Sequence, residues 1–169
     1  MNVSEIIDQM VKGVRPPVED IADVLATTDR TEMQLLFDSA ARMRDRRFGD
    51  KIFTYGFVYF STYCKNNCAF CYYRRSSHID RYRKTKDEVL ALSAALEDAG
   101  INQVDLTMGE DPHMYRDDYK ELVDLVQGVR DTVDIGIMVS PGAVSQAAMP
   151  RLRDAGADWF ACYQETYNR

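Results

Sequence analysis

An alternation constrains this chain more than any other feature. Four short apolar runs rich in β-branched and aromatic residues stand at Ile52–Phe60, Val104–Met108, Ile135–Val139 and Trp159–Tyr163. Three longer stretches with helical periodicity lie between them: 86–99, Asp118–Arg130 and Ala143–Ala155. Gly100 and Gly156 follow the first and third, where a helix C-terminus favours glycine. Near-continuous apolar runs are typical of parallel strands buried on both faces. Right-handed crossovers between such strands build either an open α/β sheet or an α/β barrel.

Four strands are half of an eight-stranded barrel, which needs roughly 250 residues, and this chain has 169. No predicted helix follows the fourth strand. The expectation is therefore α/β, the N-terminal half of a TIM-type barrel with four parallel strands; a finished four-stranded open sheet is the alternative. Residues 1–50 read as a helical N-terminal extension, and 51–169 as the partial barrel. In the extension, Ser4 is expected to cap a first helix through Ile6, Ile7, Met10 and Val11. Pro16-Pro17 breaks it. Ile21, Val24 and Leu25 mark a second helix, and Thr31 opens a third that runs past Met43 and ends at Gly49.

Hydrophobic residues at 46% and charged residues at 28% are the balance of a folded chain, not a disordered one. The net charge of −6 makes a phosphate backbone a poor default partner. No apolar run reaches the ~18–20 residues that span a bilayer. The start, Met1-Asn2-Val3-Ser4-Glu5, lacks the basic and apolar segments of a signal peptide, so a cytoplasmic location is expected.

Three of the four cysteines, Cys64, Cys68 and Cys71, fall within eight residues, just after the first predicted strand. A disulfide scaffold would spread its cysteines. A cluster placed at the C-terminal edge of a parallel sheet, where α/β folds put their sites, suits a metal or iron–sulfur centre. Zinc in a structural site wants four ligands, and so does a cubane cluster. Three local thiolates leave one metal position open. His78 or His113 could complete a zinc site, and Cys162 is another candidate fourth ligand. If Glu165 points into the barrel, strand alternation sends Cys162 to the opposite face as an ordinary buried thiol. The same alternation turns Val104, Leu106 and Met108 toward the helices, and Asp105 and Thr107 toward the barrel interior.

Cys64-Lys65-Asn66-Asn67-Cys68-Ala69-Phe70-Cys71, with an aromatic residue before the last cysteine, resembles the cluster loop of the radical S-adenosylmethionine enzymes. The wider stretch Tyr59–Tyr73 is similar to the branch of that family that isomerises L-lysine to 3-methylornithine in pyrrolysine biosynthesis. So are Ile79–Arg83, Asp105–Pro112, Ser140–Gly142 and Tyr163–Tyr167, in the same order. The similarity covers nearly the whole chain and about the first half of the family's protein.

The resemblance implies that Cys64, Cys68 and Cys71 hold a 4Fe-4S cluster. Its open iron would chelate the amino and carboxylate groups of S-adenosylmethionine. A one-electron donor such as a flavodoxin or ferredoxin would reduce it, and the resulting 5′-deoxyadenosyl radical would act on lysine or a related amino acid. Met108-Gly109-Glu110 stands where the family commonly has Gly-Gly-Glu. Gly109 would allow close backbone approach, and Glu110 would accept from the methionyl ammonium. The family places a substrate-contacting aspartate at Asp105. Glu165 would lie on the S-adenosylmethionine side, and Phe70 and Tyr72 near its adenine. A second chain supplying the remaining strands is a possible partner. The basic run Arg74, Arg75, Arg81, Arg83 and Lys84 is either a solvated loop or a carboxylate-binding patch.

Overall fold

The structure is a computed structural model and describes residues 1–165. Contacts divide the chain into two compact units, Met1–Ile52 and Phe53–Arg169.

The first unit is helical. Helix α1 (Val3–Val11) starts one residue earlier than a Ser4 cap would place it. Asn2 is the cap, and it forms a reciprocal capping box with Glu5. Ile6 and Ile7 of α1 and Val24 of α2 (Val18–Ala26) form a small core, with Leu35 and Leu36 of α3 (Arg30–Phe48) packed against it. Asp29, not Thr31, caps α3, because its carboxylate accepts from the Thr31 and Glu32 N–H groups.

The second unit is a four-stranded parallel sheet in the order β1-β2-β3-β4, with helices in the connections. The strands are β1 (Tyr55–Ser61), β2 (Gln103–Met108), β3 (Gly136–Ser140) and β4 (Trp159–Phe160). The helices are α4 (Lys86–Asp98), α5 (Arg116–Arg130) and α6 (Ala148–Asp154). Sequential strands pair with their neighbours, as in the first half of an α/β barrel. One face of the sheet carries Val58, Val104, Leu106, Ile137 and Val139 into a core with Val89, Leu122, Val126 and Leu152 of the helices. The other face lines up Phe57, Asp105, Met138 and Trp159 across all four strands.

Three elements differ from the sequence reading. Helix α6 begins at Ala148 instead of Ala143, which puts Pro150 in its first turn, where a missing N–H costs nothing. The residues before it stay irregular because Gly142 has φ of +82° and the Ala143 N–H is turned toward Glu110. Asp117, Asp118 and Tyr119 take left-handed backbone angles, so regular α5 geometry starts after them, although the periodicity begins at Asp118. Strand β4 pairs only through Trp159 and Phe160 before leaving regular geometry, shorter than the five residues expected. Among the described residues no helix is long and apolar enough to cross a membrane.

Candidate functional site

The C-terminal ends of β1, β2 and β3 deliver three loops to one rim. The loop after β1 carries the cysteines. It is closed at its base by an antiparallel exchange: the Thr62 N–H donates to the Tyr82 carbonyl at 3.1 Å, and the Tyr82 N–H to the Thr62 hydroxyl at 2.9 Å. Arg81 is the internal brace. Its guanidinium donates to the carbonyls of Thr62, of Tyr73 at 3.1 Å, of Arg74 at 2.7 Å and of Ser77 at 3.5 Å. Arg74 donates to the Ala69 carbonyl at 2.9 Å, and the Arg75 N–H to the Asn66 carbonyl at 2.7 Å. Part of the basic run is thus structural. A guanidinium replaces the ladder that an irregular loop lacks.

Met108-Gly109-Glu110 follows β2 and packs beneath that loop. A Cβ on Gly109 would overlap the Tyr63 carbonyl oxygen and stand 3.0 Å from the Cys64 Cβ, so the two backbones meet only because the residue is glycine. The Lys65 N–H donates to the Glu110 carbonyl at 2.9 Å and its ammonium pairs with Glu110 Oε2 at 2.9 Å. Glu110 Oε1 accepts from the Ala143 N–H at 3.3 Å. Burial pushes the Glu110 carboxyl up, but Lys65, Ala143 and Asn66 outweigh it and hold the group below the usual carboxylate range. The Lys65 ammonium also lies 4.8 Å from the ring centre of Tyr115, whose hydroxyl donates to the Pro141 carbonyl at 2.5 Å. Burial, with Glu110 second, pushes that phenol up.

Next to Glu110, Asp111 is almost fully buried. It accepts from Arg83 Nε at 2.7 Å and Nη2 at 3.0 Å, from Ser61 Oγ at 2.6 Å and from the His113 N–H at 3.0 Å. Burial raises its carboxyl, yet these donors, Arg83 foremost, leave it below its ordinary value. The pair ties the cysteine loop to the Glu110 loop.

A cavity of about 400 Å³ opens between these loops. Cys64, Cys68, Cys71, Gly109, Glu110, Phe70 and Glu165 all line it. Tyr72 does not; it is exposed and lines a second depression outside the loop. Asp105 does not line it either. It sits below, fully buried on the inner face, where Ser140 Oγ donates to its Oδ1 at 2.7 Å. Among the described residues its Oδ2 has no partner, and neither has Thr107 Oγ1. Cys162 departs from the reading as a buried thiol. It is exposed and lines the same cavity as the three clustered cysteines, because β4 ends at Phe160 and strand alternation no longer governs it. Thr166 and Tyr167 of the Tyr163–Tyr167 stretch lie outside the described residues.

The donor set fits an iron–sulfur cluster better than a single ion. Among the described residues no three of His, Cys, Asp and Glu stand close enough to hold one metal ion. A cubane takes one thiolate per iron, which three cysteines around a shared cavity can supply. His78 lies in the outer depression and not with the thiols, which removes the zinc ligand favoured on sequence. Sequence reasoning missed Lys65, Ser140, Gly142 and the Arg83–Asp111 pair. The placement of Lys65 between two motif cysteines and of Gly142 after Pro141 were the available signals.

Comparison with known proteins agrees with this arrangement. The model of the radical SAM superfamily matches residues 58–169. The chain is 40% identical over 161 residues to a 3-methylornithine synthase of Methanosarcina barkeri, covering 95% of this chain and 46% of that protein. It is 27% identical to the [FeFe] hydrogenase maturase subunit HydE of Thermotoga maritima, over 89% of this chain and 42% of that one. Its fold superimposes on the crystal structure of methylornithine synthase (PylB) with a TM-score of 0.86 and 40% identity, over 96% of this chain and 48% of that one. The chain therefore spans about half the length of the curated relatives it matches. A cysteine loop on the first strand of a half barrel, a glycine–glutamate loop beneath it and a matching family model together place this chain in the radical SAM superfamily.

Proposed function

We propose that this chain is the cluster-bearing half of a radical S-adenosylmethionine lysine mutase that converts L-lysine to 3-methylornithine in pyrrolysine biosynthesis. The observation that carries the reading is the shared cavity: three motif thiols, Gly109 and Glu110 line one space at the C-terminal rim of a parallel sheet. The similarity to 3-methylornithine synthase supports the choice of substrate. Bound in this cavity, a 4Fe-4S cluster and S-adenosylmethionine supply hydrogen-abstracting radical chemistry, which belongs to the cofactors and not to the protein.

The chain's own residues have separate tasks. Cys64, Cys68 and Cys71 hold the cluster as thiolates. Glu110 exchanges its bond to Lys65 for the ammonium of the methionyl group, one cation for another at a carboxylate already held ionised. Gly109 keeps the Glu110 loop against the cysteine loop. Phe70 and Glu165 border the nucleoside side of the cavity. Asp105 presents an unpaired carboxylate oxygen to the inner face, and the ammonium of a lysine substrate is the partner its burial demands. Residues 51–169 act as the partial barrel, and residues 1–50 as its helical extension.

Anaerobic reconstitution tests the cluster: about four irons per chain are expected, the content of one cubane, and Cys68→Ala should lose them. Stoichiometric zinc with no iron uptake would overturn the reading. The chain alone should cleave S-adenosylmethionine weakly and leave lysine unconverted, since orientation by a complete pocket supplies about 7–11 kcal/mol of such a barrier. Supplying the later strands as a second chain should restore conversion.

A further inference from the structure

The charge of this chain is segregated. The whole carries −6, yet the segment 62–86 holds seven Lys and Arg residues and a single acid, Asp80. The structure neutralises two of the seven, Lys65 by Glu110 and Arg83 by Asp111. Among the described residues Arg74, Arg75, Arg81, Lys84 and Lys86 have no carboxylate at ion-pair distance. Arg81 and Arg74 spend their donors on carbonyls, which leaves their charge uncancelled.

These cations surround an open depression of about 730 Å³ on the outside of the cysteine loop, lined by Thr62, Tyr72, Tyr73, His78, Asp80 and Tyr82 among others. The Lys84 ammonium stands 5.1 Å from the ring centre of Tyr82, at its rim. Arg81 donates to the Tyr73 carbonyl at its base. Tyr73 is the link inward: it lines both this depression and the cysteine cavity. Its ring centre lies 6.1 Å from that of the exposed Tyr72 and 4.9 Å from that of Tyr59, which lines the cysteine cavity. An aromatic contact path thus runs from the basic surface to the thiols.

We infer that this outer depression is the docking surface for an acidic one-electron carrier protein, which delivers reducing equivalents to the cluster across Tyr72, Tyr73 and Tyr59. The inference rests on the cluster reading above and adds where the reductant sits. In the transfer, the carrier's reduced centre loses one electron and the cluster's charge falls by one. No bond or proton moves. Charge complementarity selects the partner: a basic patch on an acidic chain favours an acidic protein at long range and repels a second copy of itself. Proximity to the thiols separates a redox partner from a nucleic acid, which has no use for a path to a cluster.

The test uses the reconstituted chain and a flavodoxin reduced to its hydroquinone. Cluster reduction is followed by absorbance in rapid mixing, with dithionite as a small reductant that needs no docking. The double variant Arg75→Glu with Lys84→Glu touches neither thiols nor the Glu110 loop. It should bind the same iron and be reduced by dithionite at the wild-type rate, while flavodoxin reduces it at least tenfold more slowly. For the wild type, raising salt from about 50 to 500 mM should slow flavodoxin alone, because the Debye length shrinks from over ~10 Å to under ~5 Å. Equal flavodoxin rates for the two proteins, a salt-independent rate, or tighter binding of an oligothymidylate than of flavodoxin at the same salt would each overturn the docking surface. Absence of iron in the wild type would instead overturn the cluster reading, so the two failures are distinct.

Discussion

At Asp105 a carboxylate is fully buried with one oxygen bonded to Ser140 and, among the described residues, the other without a partner. Leaving such an oxygen unmet costs about 1–3 kcal/mol, more if the group stays charged. Asp105→Asn is therefore expected to raise stability by about 1–3 kcal/mol in urea unfolding, since it removes the charge and adds donors. In the completed enzyme it should spare S-adenosylmethionine cleavage and depress lysine turnover. A less stable variant would mean that the free oxygen is satisfied in solution. Gly109 makes a contrasting case. Gly109→Ala pushes a methyl into the Tyr63 carbonyl, and an overlap of this kind costs about 1–3 kcal/mol. Lower iron retention by the variant, read after gel filtration, is the expected consequence, because the displaced strand end carries Cys64.

At the scale of elements, the cysteine loop is irregular but not loose. Two ion-paired or carbonyl-bound arginines do the work of a sheet ladder. Arg83→Met leaves the buried Asp111 with only Ser61 and the His113 N–H, and breaking a buried pair costs about 3–5 kcal/mol. The effect carries a pH signature. Despite burial, the Asp111 carboxyl is held below its ordinary value, chiefly by Arg83. Stability from the pair is then fully present above the ordinary aspartate value near 4 and lost as pH falls through the lower folded value. The stability gap between wild type and Arg83→Met should be complete at pH 6 and close in acid; a gap that is flat with pH would contradict it. Arg81→Met should instead act locally. It strips donors from four carbonyls, and limited proteolysis should cut within 72–80 at least tenfold faster, with the sheet intact.

For the barrel unit as a whole, the uncovered inner face of the sheet dominates. Tyr55, Phe57 and Trp159 are 53%, 57% and 63% exposed along it, next to the register row that holds Asp105 and Met138. Both β1 and β4 pair on one side only, so strand edges flank this apolar face. Such surfaces drive association. Light scattering should find the wild-type chain oligomeric at micromolar concentration, and Phe57→Lys with Trp159→Lys should shift it toward monomer. A monodisperse wild-type monomer would show that the face is covered in solution.

The alternation of apolar runs and amphipathic stretches by itself determined the parallel sheet, its strand order and its outer core. A period of two selects Val104 and Leu106 for one face and Asp105 for the other wherever pairing continues on both sides. The cysteine spacing by itself marked the loop, since three thiols within eight residues cannot separate far. Tertiary structure decided what no period encodes. Cys162 reaches the cavity because β4 stops pairing after Phe160, and pairing, not local propensity, enforces alternation. Tyr72 turns outward and Tyr73 inward because Arg81 fixes the loop through carbonyls on both sides of it. The basic run divided into a brace, an ion pair and a free surface according to which acids and carbonyls lay within reach. Those distances exist only after strands and loops far apart in sequence have packed together.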